Sequence, residues 1–152
     1  MEIGETELFY LSEFEKITHV MPSDVAEAED FLFFLVPKPL LGRAIGKKGS
    51  MIKKLEKKFK KKVLIFADSN DPEEFIKNFF NNVKPMDIEV RDAMGEKGIF
   101  FSINEAERGI ALGKVGARIK AARKFVEKKF NAKLYLRTKK TAIFETQQKT
   151  QK

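Results

Sequence analysis

The chain of 152 residues contains no cysteine and a single histidine, His19. The first absence rules out a disulfide framework and a thiolate metal site, so nothing points to secretion. The second leaves no histidine pair for a metal centre or for general-base catalysis. No stretch approaches the roughly 20 apolar residues that a membrane-spanning helix needs. The N-terminus is acidic (Glu2, Glu5, Glu7) where a signal peptide needs a basic start and an apolar run. The expected location is the cytoplasm, with no membrane partner. Glycine is also sparse, at 9 residues, and where those glycines fall is the most informative feature of the chain.

Six of them form two boxes of identical spacing, Gly42, Gly46, Gly49 and Gly109, Gly113, Gly116, at an offset of 67. Glycine is costly to order and is kept where backbone must turn sharply or approach a ligand closely. The repetition extends outward. Phe31 to Val36 matches Gly98 to Ile103, and Glu5 to Ile17 matches Pro72 to Lys84, at the same offset. Leu55-Glu56-Lys57-Lys58-Phe59 and Lys62 to Ile65 match Val126-Glu127-Lys128-Lys129-Phe130 and Lys133 to Leu136 at an offset of 71. The second helix is therefore expected to be four residues longer, about one turn, which keeps its buried face in phase. Two tandem domains follow, over residues 1–70 and 71–140, each large enough to bury a core of its own. Residues 141–152 are polar and glutamine-rich and are expected to be disordered.

Charge is segregated along this duplication. Residues 1–36 hold 9 acids and 1 base, and residues 37–66 hold 1 acid and 11 bases. Residues 67–107 hold 10 acids and 4 bases, and residues 108–140 hold 1 acid and 12 bases. The positive charge thus lies on the two glycine-box segments, where it makes a local field that attracts a polyanion. One lysine-rich helix alone reads as a solvated face or as ion-pair networks. Two at matching positions behind matched glycines favour nucleic acid.

Pattern and punctuation place the elements. Leu8, Leu11, Phe14 and Ile17 recur at helical spacing between Glu5 and Ile17. Residues 19–26 and 30–36 read as strands, the second ended by Pro37 and Pro39. A short helix over residues 40–45 leads into the glycine turn. A second helix follows, with Ile52, Leu55 and Phe59 inward and Lys54, Lys57, Lys58 and Lys61 outward, and Val63 to Ala67 closes the unit as a strand. In the second copy, Asp71-Pro72-Glu73-Glu74 reads as a helix start with a capping box, and Pro85 as that helix's end. Strands are expected at residues 86–92 and 99–103, joined through Gly95-Glu96-Lys97-Gly98. A short helix then runs to Leu112, and a long one carries Val115, Ile119, Ala122 and Val126 on one face. A last strand covers residues 132–138. The fold class is α+β, an α/β sandwich with two three-stranded sheets covered by helices.

A short turn between two helices, with glycine at both ends, lets backbone amides reach a phosphate, and the following helix presents its positive end there. Lys47, Lys48 and Lys114 add cations. Bases of a held single strand turn into the groove beside the loop. Ile45, Ile52, Leu112 and Ile119 serve either as the walls of that groove or as core.

With Gly-Arg-Ala-Ile-Gly-Lys-Lys-Gly at Gly42 to Gly49 and Gly-Ile-Ala-Leu-Gly-Lys-Val-Gly at Gly109 to Gly116, the chain resembles a pair of KH domains, and its element order is similar to the type II form. A lone G-x-x-G is weak. The larger box, present in both halves, most resembles the archaeal NusA-like family of transcription termination and antitermination factors, over about residues 5–138. The resemblance implies single-stranded RNA as the partner and a role in termination or antitermination, with RNA polymerase or a transcription complex as a further partner. It corresponds to the bacterial factor without its polymerase-binding N-terminal domain and its S1 domain. Residues and resemblance together put the RNA site on Arg43, Ile45, Gly46, Lys47, Lys48, Gly49 and Lys53, and on Leu112, Gly113, Lys114, Val115, Gly116, Arg118 and Lys120. Arg118 stands where it compensates for the lysine that Val115 replaces. Lysines supply sequence-independent affinity, and groove positions supply base preference.

An enzyme is not expected. Gly42 to Lys48 bears a likeness to phosphate-binding loops, but a Walker motif needs four residues between its glycines and then Lys-Ser/Thr. The carboxylates Asp68, Asp71, Glu73 and Glu74 cluster at a helix start, where capping accounts for them. No catalytic residue, cofactor, metal or small-molecule substrate is assigned. The other reading left open is a KH-type component that docks on folded RNA in ribosome assembly or RNA processing. The acidic strips then face either a protein partner or solvent.

Overall fold

Apolar residues spaced three and four apart bury one side of helix α1 (Glu5–Thr18), where Tyr10, Leu11, Phe14 and Thr18 turn inward. The computed structural model describes residues 4–140, and its chain divides into two units between Asp71 and Pro72. After α1 come β1 (Asp24–Ala28), β2 (Phe31–Val36), α2 (Leu41–Ile45), α3 (Ser50–Phe59) and β3 (Lys62–Ala67). The second unit repeats the order with α4 (Pro72–Phe79), β4 (Met86–Ala93), β5 (Glu96–Asn104), α5 (Arg108–Leu112), α6 (Ala117–Phe130) and β6 (Lys133–Lys139). The sheets run β1-β2-β3 and β4-β5-β6. In each, the first pair is antiparallel and the second parallel, because the two-helix crossover returns the last strand in the direction of the middle one.

One face of each sheet is the core face. Leu32, Phe34 and Val36 of β2 meet Phe14 of α1, Leu55 of α3 and Val63 and Ile65 of β3, with the rings of Phe14 and Phe34 4.4 Å apart. Ile99, Phe101 and Ile103 occupy the same register in β5 and are fully buried. Phe80 lies 4.8 Å from Phe101; Phe75 and Phe79 stack at 5.8 Å and both meet Phe125 edge to face, at 6.4 and 5.8 Å. Each such pair adds about 0.5–1.5 kcal/mol beyond its buried area. α6 has 14 residues against 10 in α3, the one-turn extension that the changed repeat offset predicts.

The structure corrects several expectations. β1 starts at Asp24, not residue 19, because His19 caps α1 in the left-handed region (φ 62) and Pro22 has no amide to give a ladder. There Val20 N donates to Thr18 Oγ1, whose hydroxyl donates to the Phe14 carbonyl. α4 ends at Phe79, short of Pro85, in a turn where Val83 N donates to the Phe80 carbonyl. β5 begins at Glu96, so the hairpin loop is Met94-Gly95 alone, with φ of 54 and 82. Positive φ at both positions is the two-residue turn whose twist suits a hairpin. Val115 is not on the buried face of the long helix; it stands in the loop before it, 62% exposed. The expected disorder of residues 141–152 lies outside the described residues.

Candidate nucleic-acid interface

The two glycine turns have the same backbone. Gly46 and Gly113 take φ/ψ of 80/163 and 81/170, Lys48 and Val115 take 56/30 and 49/26, and Gly49 and Gly116 take 74/20 and 72/17. The first glycine lies in a region open almost only to glycine. It also needs the space: a Cβ on Gly46 would stand 2.7 Å from Met51 N, and one on Gly113 would stand 2.8 Å from Arg118 Cβ. The second glycine faces open space at position 49 and has only Lys120 Cε, at 3.8 Å, near it at position 116. The first glycine seats the loop on the following helix, and the last lets backbone face outward.

Each loop is pinned by its own amides. Gly46 N donates to the Gly42 carbonyl at 2.9 Å and Gly49 N to the Gly46 carbonyl at 3.0 Å. Gly113 N and Gly116 N do the same toward Gly109 and Gly113, at 3.1 and 2.9 Å. Ala44 and Ala111 beneath are fully buried, because the short helix lies flat against its neighbour. Neither α3 nor α6 has an acid in its first turn, so nothing there offsets the positive end of the helix. At the far end of α3 and just beyond it two lysines are ion-paired: Lys58 with Glu13 at 3.4 Å and Lys61 with Glu27 at 3.0 Å. The ion-pair reading of the basic helix holds for those two lysines.

Arg43, Lys47, Lys48 and Lys53 are exposed around the first loop, with Ile45 half-buried between them and the core. Lys114, Val115 and Lys120 are exposed around the second, with Leu112 half-buried. Of the residues with a double reading, Ile119 is core and Ile52 half-buried. Arg118 is turned inward: its Nη1 donates to the Phe79 carbonyl at 2.7 Å and its guanidinium lies 6.0 Å from the Phe79 ring. Burial lowers its pKa below the ordinary arginine value. Asn82 Nδ2 donates to the Ile110 carbonyl at 3.0 Å, so two side chains tie the second loop to the end of α4.

One residue at the site escapes a reading by type. Ile110 is 54% exposed and holds the place of Arg43 in the repeat. With Val115 in the place of Lys48, the second loop shows two exposed β-branched side chains where the first shows two cations. The 67-residue offset pairs these positions directly.

The KH-domain family description matches residues 32–78 and again residues 72–143. Fold and loops together define a tandem KH protein. The chain is 32% identical over 122 residues to the probable transcription termination protein NusA of Methanocaldococcus jannaschii, covering 80% of this chain and 67% of that protein. It is 23% identical over 129 residues to the probable transcription termination protein NusA of Halococcus morrhuae, covering 85% and 92%. A solved structure, the crystal structure of APE1850, superposes with a TM-score of 0.76 at 35% identity, covering 89% of this chain and 99% of that one. The chain belongs to the NusA family of tandem KH proteins.

Proposed function

We propose that this protein binds single-stranded RNA through both glycine loops and acts in transcription termination or antitermination. The observation that carries the reading is the pair of loops with one backbone geometry, each at the uncompensated positive end of a helix. Phosphates sit against the loop amides and the lysines of each loop, while bases turn toward Ile45 and Leu112. The transcriptional role comes from the names of its relatives, and RNA polymerase is the protein partner that role requires.

If the loops neutralise about four to six phosphates, log affinity falls with log salt at a slope of roughly −3 to −4. Replacing Lys47, Lys48 and Lys114 by Asp abolishes binding and leaves the circular dichroism spectrum native. Wild-type affinity in that variant would refute the reading. Native co-purification with RNA polymerase supports the transcriptional role, and ribosomal particles in its place would redirect it.

A further inference from the structure

We propose a second RNA contact on the outer face of the second sheet, where Tyr135 stacks on a base of a single strand. This site rests on the RNA-binding reading for its ligand but uses none of the loop residues.

The duplication supplies an internal comparison. In the first unit the face opposite the core carries Ala26, Ala28, Phe33, Leu35 and Phe66, all buried, with Phe33 at 1% and Phe66 at 4% exposure. At the same register the second unit carries Glu89, Arg91, Phe100, Ser102 and Arg137. Tyr135, which takes the place of Leu64, is 41% exposed. The aromatic centre is kept, and its rim carries Arg137 and an Arg91–Glu89 ion pair.

The rings of Phe100 and Tyr135 stack at 4.6 Å between centroids and 13° between planes. The guanidinium of Arg91 lies 4.9 Å from the Phe100 centroid and that of Arg137 5.4 Å from it. A Cβ on Gly98 would come within 2.8 Å of the Phe100 ring and 3.2 Å of the Tyr135 ring, so this glycine is what lets the rings lie over the strand. Tyr135 also lines an open cleft of about 280 Å³ at the border of the sheet, with Arg123 and Glu127 of α6 and Lys133 of β6. Charge chooses the occupant. Lys133, Arg137 and Lys139 alternate with the inward side of β6 and flank Tyr135; Lys133 pairs with Glu96 and Lys139 with Asp87, exposed pairs weak enough to be exchanged for the phosphates of a chain. Glu127 offers a base amino group an acceptor. Stacking tolerates any base, since every base has a π-face.

The test measures full-length protein binding to labelled, unstructured RNA of about sixteen nucleotides. Tyr135→Ala is expected to weaken binding about 5- to 150-fold with the salt slope unchanged, and Tyr135→Phe to bind as wild type. Replacing a single loop lysine by alanine, which leaves binding measurable, reduces the slope itself. Wild-type affinity in Tyr135→Ala overturns the sheet site, including the case in which that face serves a protein partner, and leaves the loops untouched. Loss in Tyr135→Ala with full binding in the loop variant keeps the sheet site and refutes the loops. Should Tyr135→Ala fail to fold, photocrosslinking of 5-iodouridine RNA to the wild-type protein decides: an adduct on the peptide holding Tyr135 supports the site, and its absence overturns it.

Discussion

At the scale of single residues, the second loop trades charge for apolar surface. Val115 holds φ 49, a region unfavourable for a β-branched side chain, where the first loop has Lys48 at φ 56. Val115→Lys therefore relieves the part of the strain that β-branching adds, and supplies a cation. Thermal unfolding is expected to show a gain of about 0.5–1 kcal/mol, and the salt slope of RNA binding to steepen by about 0.7. Arg118 works the other way. Its guanidinium is spent on the Phe79 carbonyl, so Arg118→Met, which copies Met51 of the first unit, should lower stability by about 1–2 kcal/mol and leave the slope nearly unchanged. Denaturant titration and anisotropy on the same variant separate these effects. The glycines of both loops were legible in the sequence because their demand is on the backbone. The direction of Arg118 was not, since an arginine beside a phosphate loop and one bonded to a carbonyl 39 residues away carry the same letter.

At the scale of elements, the repeat made most of the fold legible: order, crossover and the one-turn extension of α6 all follow from aligned apolar positions. The misplaced boundaries, at β1, the end of α4 and the β4–β5 hairpin, fall where left-handed residues or a tight backbone turn decide. The Thr18 hydroxyl at the first, a backbone bond from Val83 to Phe80 at the second and positive φ at Met94 and Gly95 at the third settle those places, and periodicity does not register them. One tertiary cluster also lay beyond it. Tyr10 of α1 donates to Glu27 of β1 at 3.2 Å, and Lys61 pairs with the same carboxylate at 3.0 Å. The Lys61 pKa is raised above 10.5, chiefly by its hydrogen bond to Glu27, and that of Tyr10 above 10.0, chiefly by burial. Both shifts favour the protonated forms. The stability they contribute is complete below the ordinary values and is lost as pH rises through the raised ones. Thermal melts should therefore fall off above about pH 10, and Glu27→Gln should flatten that decline while costing no more than about 1 kcal/mol at neutral pH.

At the scale of the whole molecule, the chain reads as one folding unit used twice with its surfaces assigned differently. Both copies keep the glycine turn and the core face. The copies diverge at the exposed positions of the loop, Arg43 against Ile110 and Lys48 against Val115, and on the outer face of the sheet. Duplication relaxes the demand that each copy do everything, so one loop is left richer in charge and the other in apolar contact. A strand at the rim of a sheet is a template on which a neighbouring molecule can crystallise into an extended ribbon. β6 occupies such a rim, and it carries Lys133, Arg137 and Lys139, of which Lys133 pairs with Glu96 and Lys139 with Asp87; charged side chains on a rim disfavour pairing with a second copy. Replacing all three by threonine is expected to raise light scattering at high concentration relative to the wild-type protein; unchanged scattering would show that the row has no part in keeping these rims apart.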